Sequence, residues 1–136
     1  YMSWSIAAFV NLETGRLSRI SREVQSKLHF PPRLDMTYGS RKIVLPEAAL
    51  AQLAPIQVRR DDIDYNNHVN NAQYIRMALE CLPEDFEVRG LRIDYRKPVM
   101  PGSTITPSIA YGANTAYVVL AVEDAVCCVV EFTARS

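Results

Sequence analysis

Asp64, Asn66 and His68 place a carboxylate, an amide and an imidazole at alternate positions of one short stretch in a chain of 136 residues. A carboxylate can serve as general base or as nucleophile. An imidazole ionises near neutrality and can orient or deprotonate water. An amide can hold a water molecule or a carbonyl oxygen. Val69, Asn70 and Asn71 follow directly and lead into a helix, whose first backbone N–H groups lack partners within the helix itself. Such amides suit an oxyanion. Grouped this way, Asp64, Asn66 and His68 are the candidate catalytic residues. Val69, Asn70, Asn71 and Tyr74, one turn further on, are the candidate substrate-binding residues. Tyr74 reads as packing more than chemistry. A plainer reading stands beside this one: Asp and Asn shape turns and cap helices routinely.

The helix that must carry these groups is predicted over Asn70 to Leu82. Gln73, Arg76 and Glu80 fall on one narrow stripe, and Ala72, Tyr74, Ile75, Met77, Ala78, Leu79, Cys81 and Leu82 cover the rest. A helix so apolar is expected to be buried on most faces. Asn70 or Asn71 suits the N-cap, and Pro83 ends the helix. Strands with alternating apolar residues follow: Leu91, Ile93, Tyr95; Ile105, Ile109; Ala116 to Val122; Val126 to Phe132. A short strand with Ile56 and Val58 precedes. One strand, a helix and about four antiparallel strands predict a sheet curled around its helix.

Upstream, Tyr1 to Val10 reads as a strand and Asn11 to Gly15 as a turn. Ser21 caps a short helix over Arg22 to Leu28, stopped by Pro31-Pro32. Pro32 to Leu45 reads as a linker. Pro46 opens a second short helix reaching Leu53. The expected division is 1–17 strand and turn, 18–53 linker with short helices, and 54–136 the main domain.

The segment D-I-D-Y-N-N-H-V-N-N-A-Q-Y, Asp62 to Tyr74, resembles the signature of acyl-acyl-carrier-protein thioesterases, members of the hotdog-fold thioesterase superfamily. Trp4 to Ile20 is similar to the last strand of a preceding hotdog unit and its exit into a linker, so the chain resembles the C-terminal half of a two-unit enzyme. The resemblance implies an α+β hotdog fold, an antiparallel sheet wrapped around a central helix. It implies hydrolysis of acyl-ACP to free fatty acid and acyl carrier protein, with Asp64, Asn66 and His68 at the family's catalytic positions. It also implies a homodimer or association with an N-terminal hotdog unit. In the plant members the strand after the helix carries a Glu-Cys pair to which catalytic roles have been assigned; here Pro98 and Val99 stand there, and neither can be a base or nucleophile. Asp94 is a weak substitute, since it shares the outward phase of Arg92 and Arg96, and Cys81 lies in the apolar end of the helix. The rivals are an acyl-CoA thioesterase of the same fold and a non-catalytic acyl-binding half.

The rest of the composition narrows the field. Fifteen basic and fifteen acidic residues cancel, so bulk charge gives no sign of nucleic acid. Arg89, Arg92, Arg96 and Lys97 read as an ordinary solvated strand face, with steering of an acidic carrier protein as the alternative. The apolar runs fall far short of the ~20 residues a membrane span needs. No secretory signal or transit peptide is visible. Three cysteines, two of them adjacent on opposite faces of a strand, point to reduced thiols in the cytoplasm. His29 and His68 are far apart, so no zinc spacing arises, and neither a metal nor another cofactor is implied.

Overall fold

The computed structural model describes residues 5, 9–11, 13–29, 32, 34–35, 39–40 and 42–135. Packing divides the chain into two units, Tyr1–Gly39 and Ser40–Ser136.

The first unit is a small hairpin and a helix. Strands β1 (Phe9–Val10) and β2 (Leu17–Ser18) pair antiparallel. Asn11 shapes the turn between them: its Oδ1 accepts the N–H groups of Glu13 and Thr14. Gly15 takes a positive φ of 65°, which costs a residue without Cβ little. Helix α1 (Arg22–Lys27) follows, and the Ser21 hydroxyl accepts the Val24 N–H as predicted. Most of the strand expected over Tyr1 to Val10 lies outside the described residues.

The second unit is a six-stranded antiparallel sheet against one principal helix. Strands β3 (Ala51–Gln52) and β4 (Ile56–Gln57) both pair with β6 (Thr104–Tyr111). Beyond β6 come β7 (Thr115–Val122), β8 (Ala125–Ala134) and, at the far edge, β5 (Val88–Tyr95). Helix α2 (Asn71–Leu79) packs against β7 and β8. Alternation decides which strand residues meet it. Ala116, Val118 and Leu120 of β7 and Cys128, Val130 and Phe132 of β8 are buried in one cluster with Tyr74, Met77 and Ala78 of the helix.

Two expectations about elements are corrected. Pro46 to Leu53 does not form a helix. Its last residues instead extend β6, with Ala51 opposite Ile109 and Leu53 N–H donating to the Pro107 carbonyl. A sheet edge offers unpaired backbone groups, and that pairing outweighs a weak local preference for helix. Helix α2 is shorter than predicted, and the sheet buries only the stripe Tyr74, Met77 and Ala78. Leu79 is 43% exposed. One sheet covers one side of a helix, so the remaining apolar positions stay uncovered within this unit.

The opposite face of the sheet is covered as well. Ile43, 4% exposed, packs on Val119 and Val129 with Leu45, Tyr117 and Val126 around it. Ser40 and residues 42–45, read as linker from the sequence, thus lie as a strap across that face. The solvated strand face predicted for β5 is its fastening: Ile43 N–H donates to Asp94 Oδ2, Arg96 Nη2–H donates to the Ile43 carbonyl, and Arg92 Nη2–H donates to the Ser40 carbonyl. Asp94 and Arg96 also pair with each other, as do Arg92 and Glu131. Asp94 therefore has a structural partner set and is no substitute for a catalytic glutamate. Arg92 and Arg96 are committed to the strap rather than free for a carrier protein.

Candidate active site

The stretch before α2 folds as a closed loop. Ile63 and Val69 pair as an isolated antiparallel bridge. Inside it, Asp64 N–H donates to the His68 carbonyl at 2.8 Å, and Asn67 N–H donates to the Asp64 carbonyl at 3.0 Å. The Asp64 Oδ1 accepts the N–H of Asn66 at 2.8 Å and of His68 at 3.4 Å. Asn67 takes a left-handed φ of 62°, a conformation asparagine tolerates better than most residues. The turn-forming reading of Asp64 is therefore correct for one of its oxygens. Its Oδ2 accepts no hydrogen bond from the described residues and remains available for chemistry. The side chains of Asn66 and His68 likewise make no hydrogen bond to other described residues.

The loop is tied to the helix and to the strand beyond. Asp62, 2% exposed, carries most of this. Its Oδ2 accepts the Arg59 N–H at 2.8 Å, its Oδ1 accepts from Arg76 Nη2 at 2.8 Å, and its carbonyl accepts the Asn70 N–H at 2.8 Å. Arg76 is oriented by Gln73, whose Oε1 accepts the Arg76 Nε–H at 2.7 Å. The sequence reading put Gln73 and Arg76 on one narrow polar stripe and gave Asp62 only a turn-shaping role. No local signal joins the two, Asp62 and Arg76, since they lie fourteen residues apart and only folding brings them together. Val69 N–H donates to the Val99 carbonyl at 2.9 Å, which fixes the loop against the segment after β5.

These bonds revise the expected oxyanion donors. The amides of Val69 and Asn70 are already engaged by Val99 and Asp62. Ala72 N–H is capped by Asn70 Oδ1 at 2.9 Å, and Gln73 N–H donates to the Asn70 carbonyl. Asn71 N–H alone of this group has no acceptor among the described residues. Asn70 is the N-cap and Asn71 the first helical residue.

Asp64, Asn66, His68, Val69, Asn71 and Tyr74 come together around an open cleft of about 320 Å³, closed on the other side by Tyr95, Arg96, Lys97 and Pro98. Asn70 is not among its lining residues and acts through the cap. Tyr95 was read from alternation as packing only. Its ring meets that of Tyr74 edge-on, centroids 5.7 Å apart, and its hydroxyl donates to the Asn71 carbonyl at 2.9 Å. The Tyr74 hydroxyl accepts the Val99 N–H at 3.0 Å. Burial pushes the Tyr95 phenol up to about 12 and also raises that of Tyr74, although the Val99 N–H pulls the latter back. Both phenols are therefore protonated at neutral pH. Among the described residues, Asp64 is the only carboxylate on the cleft, and no group of three or more His, Cys, Asp or Glu fit to hold a metal occurs.

The sheet wrapped on one helix, with an acid-amide-imidazole loop at that helix's start, defines a hotdog thioesterase fold. Two solved structures share it: a 12:0-ACP thioesterase from Umbellularia californica, at a TM-score of 0.71 and 20% identity over 93% of this chain and 52% of that one, and an acyl-ACP thioesterase from Bacteroides thetaiotaomicron, at 0.67 and 19% over 93% and 53%. Residues 47–131 match the family described as Acyl-ACP thioesterase C-terminal domain. The chain belongs to that family. Oleoyl-acyl carrier protein thioesterase 1, chloroplastic, of Arabidopsis thaliana is 30% identical over 77% of this chain and 34% of its own length. Its counterpart 2 is 31% identical over 65% and 28%. The chain thus spans about a third of the length of these relatives.

Proposed function

We propose that this chain hydrolyses acyl-ACP thioesters to free fatty acid and acyl carrier protein. The observation that carries the reading is the cleft itself, where Asp64 Oδ2 and the side chains of Asn66 and His68 stand unengaged among the described residues, on a loop closed by its own hydrogen bonds. Asp64 takes a proton from water as that water attacks the thioester carbonyl, or attacks directly as nucleophile. His68 and Asn66 position the water and the substrate. The tetrahedral oxyanion is stabilised by the unengaged amide of Asn71. On the base route, collapse breaks the C–S bond and the proton held by Asp64 returns to the departing thiolate; on the nucleophile route, expulsion of the thiolate leaves an acyl-aspartyl anhydride, which a water then cleaves to fatty acid and free carboxylate, its proton passing to the thiolate.

Two kinds of partner accompany this reading: the acyl carrier protein with its thioester, and a second hotdog unit, either in a homodimer or from an N-terminal half. Support for the second comes from β5, which among the described residues pairs only with β8, and from the exposed Leu79 and Leu91 on the helix and that strand. The three free thiols fit a reducing, cytoplasmic setting, whereas the Arabidopsis relatives are named as chloroplastic.

One observation favours a rival reading. Pro98 on the cleft wall and the buried Val99 replace the family's Glu-Cys pair, as a non-catalytic acyl-binding half would allow. Release of free fatty acid from a panel of acyl-ACPs, run in parallel on the corresponding acyl-CoAs, decides. Turnover on ACP substrates that Asp64→Asn abolishes supports the proposal. Faster turnover on CoA substrates reassigns the carrier. Binding of acyl-ACP without turnover selects the non-catalytic half.

A further inference from the structure

We propose that the Tyr74 hydroxyl is a catalytic hydrogen-bond donor, paired with the Asn71 N–H to hold the thioester carbonyl oxygen as it becomes an oxyanion; this rests on the hydrolytic reading above. The sequence assigned Tyr74 mainly to packing, and its ring is indeed 2% exposed. Its oxygen has a different situation. It accepts the Val99 N–H at 3.0 Å, which holds one lone pair and leaves the hydroxyl hydrogen to be donated elsewhere. That hydrogen has no acceptor among the described residues, and Tyr74 borders the cleft. A buried O–H without an acceptor is unfavourable, so a carbonyl oxygen in the cleft gains where the empty site does not.

The second donor is fixed to the first by Tyr95. Its ring packs edge-on against Tyr74, while its hydroxyl binds the carbonyl of Asn71, the residue whose own N–H is unengaged. Tyr95 thereby sets the Tyr74 ring and the first peptide of α2 in one frame, and preorganised donors are what oxyanion stabilisation requires. Accepting the Val99 N–H also polarises the Tyr74 O–H and strengthens its donation. Burial keeps the phenol protonated, and the charge of Asp64 acts in the same direction. With proline at the glutamate position, this hydroxyl is a neutral donor that the reaction can use without a second carboxylate.

The test measures steady-state hydrolysis of a panel of medium- and long-chain acyl-ACPs by the full chain, with Tyr74→Phe and with fluorinated tyrosines placed at position 74, at a pH where the phenol stays protonated. Loss of one oxyanion donor lowers kcat by about a hundredfold. Tyr74→Phe is expected to show that loss with KM little changed. Fluorination acidifies the phenol, making it a stronger donor and a weaker acceptor for Val99, so kcat is expected to rise through the series. A packing or Val99-holding role moves stability and leaves kcat flat. An unchanged kcat in Tyr74→Phe, or a kcat that stays flat or falls with fluorination, overturns the role. If Tyr74→Phe does not fold, the fluorotyrosine series decides alone. A wild-type chain without turnover overturns the hydrolytic reading and this role together; a wild-type chain that turns over beside an equally fast Tyr74→Phe overturns only the role.

Discussion

Asp64 and His68 are bonded to each other through their backbones: Asp64 N–H reaches the His68 carbonyl at 2.8 Å, and the Asp64 carboxylate accepts the His68 N–H at 3.4 Å. The backbones that carry the carboxylate and the imidazole are thus held in one closed loop. One carboxylate oxygen shapes the loop and the other faces the chemistry.

This division of labour makes Asp64→Asn an informative variant. The asparagine oxygen can still accept the Asn66 and His68 N–H groups, so the loop and the melting temperature are expected to persist. The proton acceptor is gone, and turnover on acyl-ACP is expected to fall by about a thousandfold. Retained turnover in a folded Asp64→Asn protein would remove Asp64 from the mechanism.

The Asp62–Arg76 pair is asymmetric, with side-chain exposures of 3% and 48%. Removing Arg76 leaves a buried carboxylate short of its charged partner, whereas Arg76→Lys keeps a cation beside it. Arg76→Ala is therefore expected to cost about 2–3 kcal/mol and Arg76→Lys about 1 kcal/mol, as read by urea unfolding. Equal losses would show that a cation beside Asp62 does not govern the pair.

Cys128 predicts a specific alkaline instability. Burial pushes its thiol from 9.0 up to about 12, with the Asp94 charge adding and Arg96 opposing. The raised group means that the unfolded chain releases its proton first. The contribution is complete below pH 9 and is lost as pH rises from there towards 12, at about 1.4 kcal/mol per pH unit. Cys128→Ala lowers stability below pH 9 and should flatten this slope by one proton above it. Parallel curves for the two proteins would show that the thiol does not titrate in this window.

Asp94 fastens the strap over the outer sheet face. Asp94→Ala removes the acceptor for the Ile43 N–H and the partner of Arg96. Amide exchange at Ile43 is expected to accelerate by about tenfold, while β7 and β8 amides keep their protection; one hydrogen bond is worth about 1 kcal/mol. Unchanged exchange at Ile43 would mean that its packing on Val119 and Val129 holds the strap without the carboxylate.

Much of this protein is written in local pattern. Alternation over β7 and β8 identifies Val118, Leu120, Cys128, Val130 and Phe132 as core, because successive side chains on a strand must point to opposite faces. Ser21 and Asn70 mark helix starts, because a side-chain oxygen one residue before the first turn satisfies free amides wherever it occurs. The motif from Asp62 to Tyr74 brings Asp64, Asn66 and His68 to one cleft for the same reason: a loop so short is closed by its own hydrogen bonds. What only the tertiary structure decided are the contacts between segments distant in sequence. Ala51 and Gln52 became strand because β6 offered an open edge, and Ser40 and Ile43 became part of a strap because Asp94, Arg96 and Arg92 waited on the far face of β5. The amides of Val69 and Asn70 were lost as oxyanion donors to Val99 and Asp62, and the Tyr74 hydroxyl was turned towards Val99. A side chain's type states which hydrogen bonds it can make; which of them remain open to a substrate depends on the partners that folding brings near.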